Sequence, residues 1–374
     1  MLCKKMGLAP GGPGDVDGVE AFLSKALSPP HFKAVTNAVE VLVELGAMEA
    51  ATNELTSLGH RLALLSLEPR VGRMVIWSYF LGCARIVAAM ATSMSYKSPF
   101  VIPPPSRRKA SEEAKVRLSQ NSESDQLTTV NVLRQRDKLG KGGQRLAQFF
   151  QQNFLNPSTV TMISDLRRSL ARELEAIGFP PPASMGQFYN RQGEERALWE
   201  AAIAAGLYPN IASRRAGETN FSTSGDHKAK IHMSSVNAVN GQRLSRKSTI
   251  GDNELELVCF GELVKGKSSF TISSTTRLTS PLPLFLLCGN KVSIRPNPNK
   301  CDSSILILDD RIAASCETRT AKLLFVLRKR LHKAFCSALN RPKQNWHKME
   351  KKDRDAIELV DRILCSAYDV YSKG

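Results

Sequence analysis

The hydrophobic periodicity of this chain changes once, and that change sets its architecture. From Pro69 to about Glu195, apolar residues recur every three to four positions, the spacing of one helix face. This predicts helices over 71–81, 85–95, 112–118, 125–136, 143–153 and 158–177. The last carries Val160, Ile163, Leu166, Leu170, Leu174 and Ile177 as one apolar stripe. Pro99, Pro103 to Pro105 and Pro180 to Pro182 punctuate the run. One more helix, 198–206, leads into a different pattern. Residues 228–233, 254–260, 269–273 and 284–288 read as short strands separated by turn residues, which predicts a small barrel. Residues 214–225 and 241–253 read as polar loops, and helices return over 320–339 and 353–368. Neither one bundle nor one sheet accommodates this order.

The first segment has its own signals. Residues 7–18 are Gly/Pro-rich, and Ser28-Pro29-Pro30 opens a helix carrying Phe32, Val35, Val39, Leu42 and Val43. Gly46 stops it. Ala47-Met48 and Glu54-Leu55 flank a short turn, a possible hairpin, and Thr56 caps a helix with Leu58, Leu62 and Leu65. Helix, hairpin and short helix look like a winged-helix module. At about 150 residues per domain the chain holds two or three domains. The divisions expected are 1–66, a partial winged-helix domain; 67–195, helical; 196–312, the barrel; and 313–374, a basic helical extension. The fold class is therefore multidomain α+β.

Charge points to a partner. Lys and Arg number 52 and Asp and Glu 35, a net charge of +17. A polyanion is expected, nucleic acid first and an anionic membrane surface second. Basic clusters recur at Arg107-Arg108-Lys109, Arg167-Arg168, Arg214-Arg215, Arg243 with Arg246 and Lys247, and Arg328-Lys329-Arg330. Any one of them alone reads as a solvated face; together with a small barrel they imply a groove that tracks a phosphate backbone. Aromatic residues make up 6% of the chain, so phosphate contacts should outweigh base stacking.

Other chemistries find little support. The eight cysteines form no C-x-x-C pair, and Met1-Leu2-Cys3-Lys4-Lys5 opens no secretory leader, so reduced thiols in cytosol or nucleus are expected. Arg85 interrupts the apolar stretch 74–94, which therefore reads as buried helix and not as a membrane span. No histidine sits at zinc-ligand spacing from cysteines, so no metal is expected, and no nucleophile–base constellation is visible. Asp309-Asp310 and Glu194-Glu195 read as solvated pairs. Gly261, Gly266, Lys267 and Ser268 match the phosphate-loop pattern G-x-x-x-x-G-K-[ST]. That loop needs a helix after it, whereas Phe270-Thr271-Ile272 continues as a strand; the match reads as a chance strand–turn–strand.

The order of landmarks resembles the C-terminal region of DEAH/RHA-type ATP-dependent RNA helicases. Residues 22–30 (Phe-Leu-Ser-Lys-Ala-Leu-Ser-Pro-Pro) and 55–63 (Leu-Thr-Ser-Leu-Gly-His-Arg-Leu-Ala), with 67–74, resemble the winged-helix end and the opening of the helicase-associated domain. Leu81-Gly82-Cys83, Ser95-Tyr96-Lys97-Ser98-Pro99-Phe100, Asn153-Phe154-Leu155 and Asp165-Leu166-Arg167-Arg168 resemble later landmarks of that domain. Residues 205–212, His232-Met233-Ser234-Ser235-Val236-Asn237, Thr275-Thr276 and 280–289 resemble those of the oligonucleotide/oligosaccharide-binding (OB) barrel.

The resemblance covers about residues 22–339. It implies a winged-helix remnant, a ratchet-like helical domain and an OB barrel. In the family these sit on two RecA-like motor domains, line the RNA exit path and in some members receive a G-patch-type activator. The motor motifs D-E-x-H and Q-R-x-G-R-x-G-R are missing, and Met1 falls inside the winged-helix pattern. ATP and Mg²⁺ are thus expected only for a longer parent helicase, and no catalytic residue is expected in this chain. The family's Ser-Asp-His reads Ser124-Asp125-Gln126 here.

The RNA contacts expected, to single-stranded or structured RNA, are Lys228, Lys230, His232, Ser234, Ser235, Asn237, Arg167 and Arg168. Ser234 and Ser235 read equally well as turn-formers. Two other readings stay open. One is a nucleoside triphosphatase using Lys267 and Ser268. The other is a protein-interaction module that docks an activator without touching RNA.

Overall fold

A computed structural model describes residues 16–140, 142–179, 195–215, 217–225, 227–238, 255–267, 269–298, 300–340 and 349–373. The Gly/Pro stretch up to Asp15, Pro180 to Pro182, Glu194, the loop 241–253 with Arg243, Arg246 and Lys247, and Ser268 lie outside the described residues.

The chain opens with α1 (Val16–Leu23), α2 (Phe32–Glu44) and α3 (Ser57–Leu62). His31 caps α2 and the Thr56 hydroxyl caps α3 by accepting the Gly59 N–H at 3.1 Å. Between them Met48 and Leu55 form one antiparallel bridge. The expected hairpin is thus reduced to a single bridge.

Next come α4 (Pro69–Phe80), α5 (Ala84–Met94), α6 (Arg108–Ser119), α7 (Asp125–Leu139), α8 (Gln144–Gln152) and α9 (Pro157–Ala176). All six expected helices are present. Caps explain their starts: Ser124 accepts the Leu127 N–H and Asn156 accepts the Thr159 N–H. α4 and α5 are buried almost all round, which accounts for the apolar stretch 74–94. Among the described residues no helix is long and apolar enough to cross a membrane. A smaller core of Leu118, Val132, Leu133, Phe150, Leu155, Val160 and Ile163 ties α6 to α9.

α10 (Arg196–Leu207) is buried along its length and packs on α4. A Cβ built on Gly206 would lie 2.3 Å from the Met74 Cβ and 2.6 Å from its Cα, so glycine alone permits this approach. Five strands follow: β1 (Ile211–Arg215), β2 (Phe221–Thr223), β3 (Lys228–Ile231), β4 (Leu255–Lys265) and β5 (Phe270–Leu278). They close a barrel in the order β1-β2-β3-β5-β4, with β3 parallel to β5 and every other pair antiparallel. Ala212, Phe221, Ala229, Val258, Phe260 and Ile272 fill it.

Three expectations need correction. Residues 284–288 are not a strand. They belong to α11 (Leu282–Leu287), a continuous buried apolar run with proline in its first turn, which periodicity alone cannot tell from a buried strand. Residues 214–225 are not simply a loop: β1 ends and β2 lies within them, and Arg214 is held at the barrel by Glu256 at 2.6 Å. The barrel does not run to residue 312. β6 (Val292–Pro296), β7 (Ser303–Leu308) and β8 (Ile312–Glu317) form a separate antiparallel sheet, so a division at 312 would cut β8. α12 (Thr318–Leu339) packs on that sheet, and α13 (Lys351–Lys373) packs on α12 and α10.

Candidate nucleic-acid interface

The helical domain and the barrel meet at a polar seam. It is built from the turn before α7 and the first turn of α7, set against β5 and the segment after β3. Asp125, in the first turn of α7, accepts the main-chain N–H of Val236 through Oδ1 at 2.8 Å and that of Thr275 through Oδ2 at 2.8 Å. The Ser124 hydroxyl lies 2.8 Å from the Thr276 hydroxyl. Gln126 donates from Nε2 to the Ser274 carbonyl at 2.7 Å, and its Oε1 accepts from Thr276. Glu123 pairs with Arg277 at 2.9 Å and Arg196 at 3.1 Å. Gln126, standing where the family pattern has histidine, is therefore a buried strut between the two domains.

Beside this seam opens a cleft of about 250 Å³. Tyr96, Lys97, Ser98, Phe100 and Lys115 form its helical wall, and Ser234, Glu262, Ser273 and Ser274 its barrel wall. Lys115 reaches across it. The ammonium donates to the Ser234 carbonyl and sits 4.4 Å from the centre of the Phe100 ring. Burial pushes the Lys115 pKa down, against the opposing pull of Asp125 and Glu112. Lys97 is exposed at the mouth, 5.8 Å from the Tyr96 ring centre. The cleft thus combines ammonium groups, hydroxyls and aromatic faces, the groups that hold a phosphate–ribose strand.

The residues expected to contact RNA separate into three groups. Lys228 and Lys230 project from β3 on the outside of the barrel, while His232 and Ser234 are exposed just beyond it. The His232 ring holds the Ser234 hydroxyl at 2.7 Å, so these two act together at the cleft edge. Ser235 and Asn237 are buried. The Ser235 hydroxyl lies 2.7 Å from that of Thr275, and the Asn237 amide donates to the same hydroxyl at 2.8 Å and to the Glu123 carbonyl. Their polar groups are spent on the seam. Arg167 and Arg168 lie on α9, paired with Asp137 at 3.1 Å and with Asp165. Neither lines the cleft. The structure therefore does not gather all eight into one surface.

Lys97 and Lys115 are not among the expected contacts. Lys97 falls within a landmark of the resemblance; nothing local in sequence marks Lys115, whose place in the cleft depends on the packing of α6.

The remaining basic clusters also sort by structure. Arg328 is buried and donates to the carbonyls of Phe285, Cys288 and Gly289 at 2.6–3.0 Å. Arg330 pairs with Asp353 at 2.7 Å. The phosphate-loop match is the β4–β5 hairpin: the Gly266 N–H donates to the Ser269 carbonyl at 2.9 Å, and strand β5 follows. Among the described residues no group of three or more His, Cys, Asp or Glu is placed to hold a metal ion.

Comparison with known proteins agrees with this geometry. Residues 68–129 match the ratchet-like helicase associated domain (HA2), and residues 200–292 match an oligonucleotide/oligosaccharide-binding (OB)-fold family. The chain is 31% identical over 329 residues to the DExH-box ATP-dependent RNA helicase DExH1 of Arabidopsis thaliana, covering 87% of this chain and 31% of that one. It is 29% identical over 364 residues to the ATP-dependent RNA helicase dhx29 of Xenopus laevis, covering 94% and 25%. It is 28% identical over 352 residues to the ATP-dependent DNA/RNA helicase DHX36 of Mus musculus, covering 92% and 33%. The chain thus spans a third or less of the length of these curated relatives.

Proposed function

This chain carries the helicase-associated and OB-fold C-terminal region of a DEAH-type helicase, and we propose that it is the part that holds single-stranded RNA. The observation that carries this reading is the cleft between helical domain and barrel, where Lys97, Lys115, Tyr96 and Phe100 face Ser234 and Ser273. The strand's phosphates lie against the lysines and its riboses against the serine hydroxyls, with Lys228 and Lys230 extending the positive track along β3. In this reading residues 16–66 are the winged-helix remnant, the division into domains follows the two family matches, and ATP with Mg²⁺ belongs to RecA-like motor domains of a longer protein. The chain by itself supplies grip and orientation, not hydrolysis, and works where thiols stay reduced.

The test is the salt dependence of binding to a labelled uridine oligonucleotide. Binding should weaken steeply with salt, and Lys97→Ala with Lys230→Ala should flatten the log–log slope by about 0.7 for each phosphate left without its lysine. Affinity that is indifferent to salt would sink the proposal.

One observation favours activator docking as a second reading. A groove of about 570 Å³ lies between β4, α13 and β8, whose outer edge pairs with no described strand. Leu255 and Tyr371 are exposed within it. An extended segment of a G-patch-type activator would add to that edge; capture of such a peptide without any RNA binding would favour it.

A further inference from the structure

The cluster Arg107-Arg108-Lys109 takes no part in the cleft. Arg107 instead borders a separate open groove of about 470 Å³ on the helical domain, together with Glu113, Arg117, Gln151, Gln152 and Phe154. Neither Arg107 nor Arg117 makes an ion pair with a described residue. Phe154 has a φ of +54°, in the left-handed region, and its ring meets no other described ring.

This groove backs directly onto the cleft. α6 carries Lys115 into the cleft and Arg117 into the groove, and two helical positions differ by about 200° around the axis. The extended pair on the other side repeats the division. Phe100 bridges Leu155, and the Val101 N–H donates to the Phe154 carbonyl at 2.8 Å. Phe100 lines the cleft and Phe154 the groove. One wall therefore presents a cation and an aromatic ring on each of its two sides.

We propose that the outer groove is a second single-strand subsite, which takes a nucleotide of the RNA beyond the segment held in the cleft. Its phosphate lies between the Arg107 and Arg117 guanidinium groups and its base on the Phe154 ring, with the Gln151 and Gln152 amides along the base edge. Glu113 accepts the ribose 2′-hydroxyl. An acidic peptide fits less well: it would leave the planar ring and the amides unused. The proposal rests on the cleft being an RNA site, and its test keeps the two apart.

The experiment compares anisotropy titrations of uridine oligonucleotides of about 5 and about 12 nucleotides, lengths within the range one barrel holds. The proteins are the 374-residue chain, its Arg107→Ala/Arg117→Ala variant and its Phe154→Ala variant, with folding checked by circular dichroism. The unaltered chain should bind the longer oligonucleotide at least about tenfold more tightly, and both variants should lose that gain while binding the short one as before. Ultraviolet crosslinking should place the longer strand at Phe154. A length gain unchanged in both variants overturns the second subsite and leaves the cleft standing. Absence of binding at either length overturns both. Binding of polyglutamate that requires Arg107 and Arg117, with no RNA length effect, would make the groove a peptide site instead.

Discussion

The Asp125 carboxylate accepts the main-chain N–H of Thr275 at 2.8 Å across the boundary between helical domain and barrel. Its other oxygen takes the Val236 N–H at the same distance, so one side chain in the first turn of α7 holds two separate segments of the barrel. The position also favours a negative charge, because the first turn of a helix leaves its N–H groups unpaired. Asp125→Asn keeps the shape but turns an amide N–H₂ toward one of those two donors. The expected cost is about 2–3 kcal/mol, the scale of a charge-assisted hydrogen bond lost in a half-buried site. Urea unfolding followed at the barrel should show it as a lower midpoint; an unchanged midpoint would mean that the seam does not depend on this carboxylate.

Arg328 and Lys329 are adjacent in sequence and opposite in consequence. Arg328 satisfies three carbonyls at the end of α11, whereas Lys329 is exposed, 4.5 Å from the Phe325 ring centre. Arg328→Met strands those buried acceptors and should destabilise the chain by about 3 kcal/mol or more. It should leave the salt slope of RNA binding unaltered in whatever protein remains folded. Lys329→Met should change stability by less than about 0.5 kcal/mol. Equal losses from both would contradict the assignment of Arg328 as a strut.

His332 is held against the Trp77 ring, with ring centres 5.7 Å apart, and its Nε2 donates to the Leu286 carbonyl at 3.2 Å. Burial first, then the nearby guanidinium groups of Arg328 and Arg73, push its pKa down to about 3. The folded chain thus keeps this imidazole neutral where the unfolded chain, near the ordinary value of about 6.5, protonates it. The unfolded state binds the extra proton between about pH 6.5 and pH 3, so stability falls as pH falls through that window. The slope approaches about 1.4 kcal/mol per pH unit from this group alone. His332→Phe removes that contribution, and its unfolding free energy should vary less steeply over the same range. A pH profile parallel to that of the unaltered chain would contradict the neutral, buried state.

Much of the architecture can be read from the residues. The stripe from Val160 to Ile177 forms α9, and the β-branched run after Lys267 forms β5, because periods of 3.6 and 2 are local properties of a chain. Residues 284–288 mislead, since an apolar run of five buried on every side has no period to detect. The strands β1 and β2 hide among charged and polar residues, because Arg214 lies along the barrel against Glu256 and Phe221 and needs no apolar pattern of its own.

The site is less legible than the fold. His232 to Asn237 read as one run, yet His232 and Ser234 face solvent while Ser235 and Asn237 turn into the seam. Sequence by itself determined the order of helices and strands, the excess of positive charge and the likeness to a helicase region, all of which follow from residue type and spacing. Tertiary structure decided which cations are available to a polyanion: Lys97 and Lys230 remain exposed, while Arg328 is consumed by main-chain carbonyls. The physical reason is that a charge costs free energy when buried and must find a partner there. Those partners, from Phe285 to Gly289, come from a segment that only folding brings within reach of Arg328.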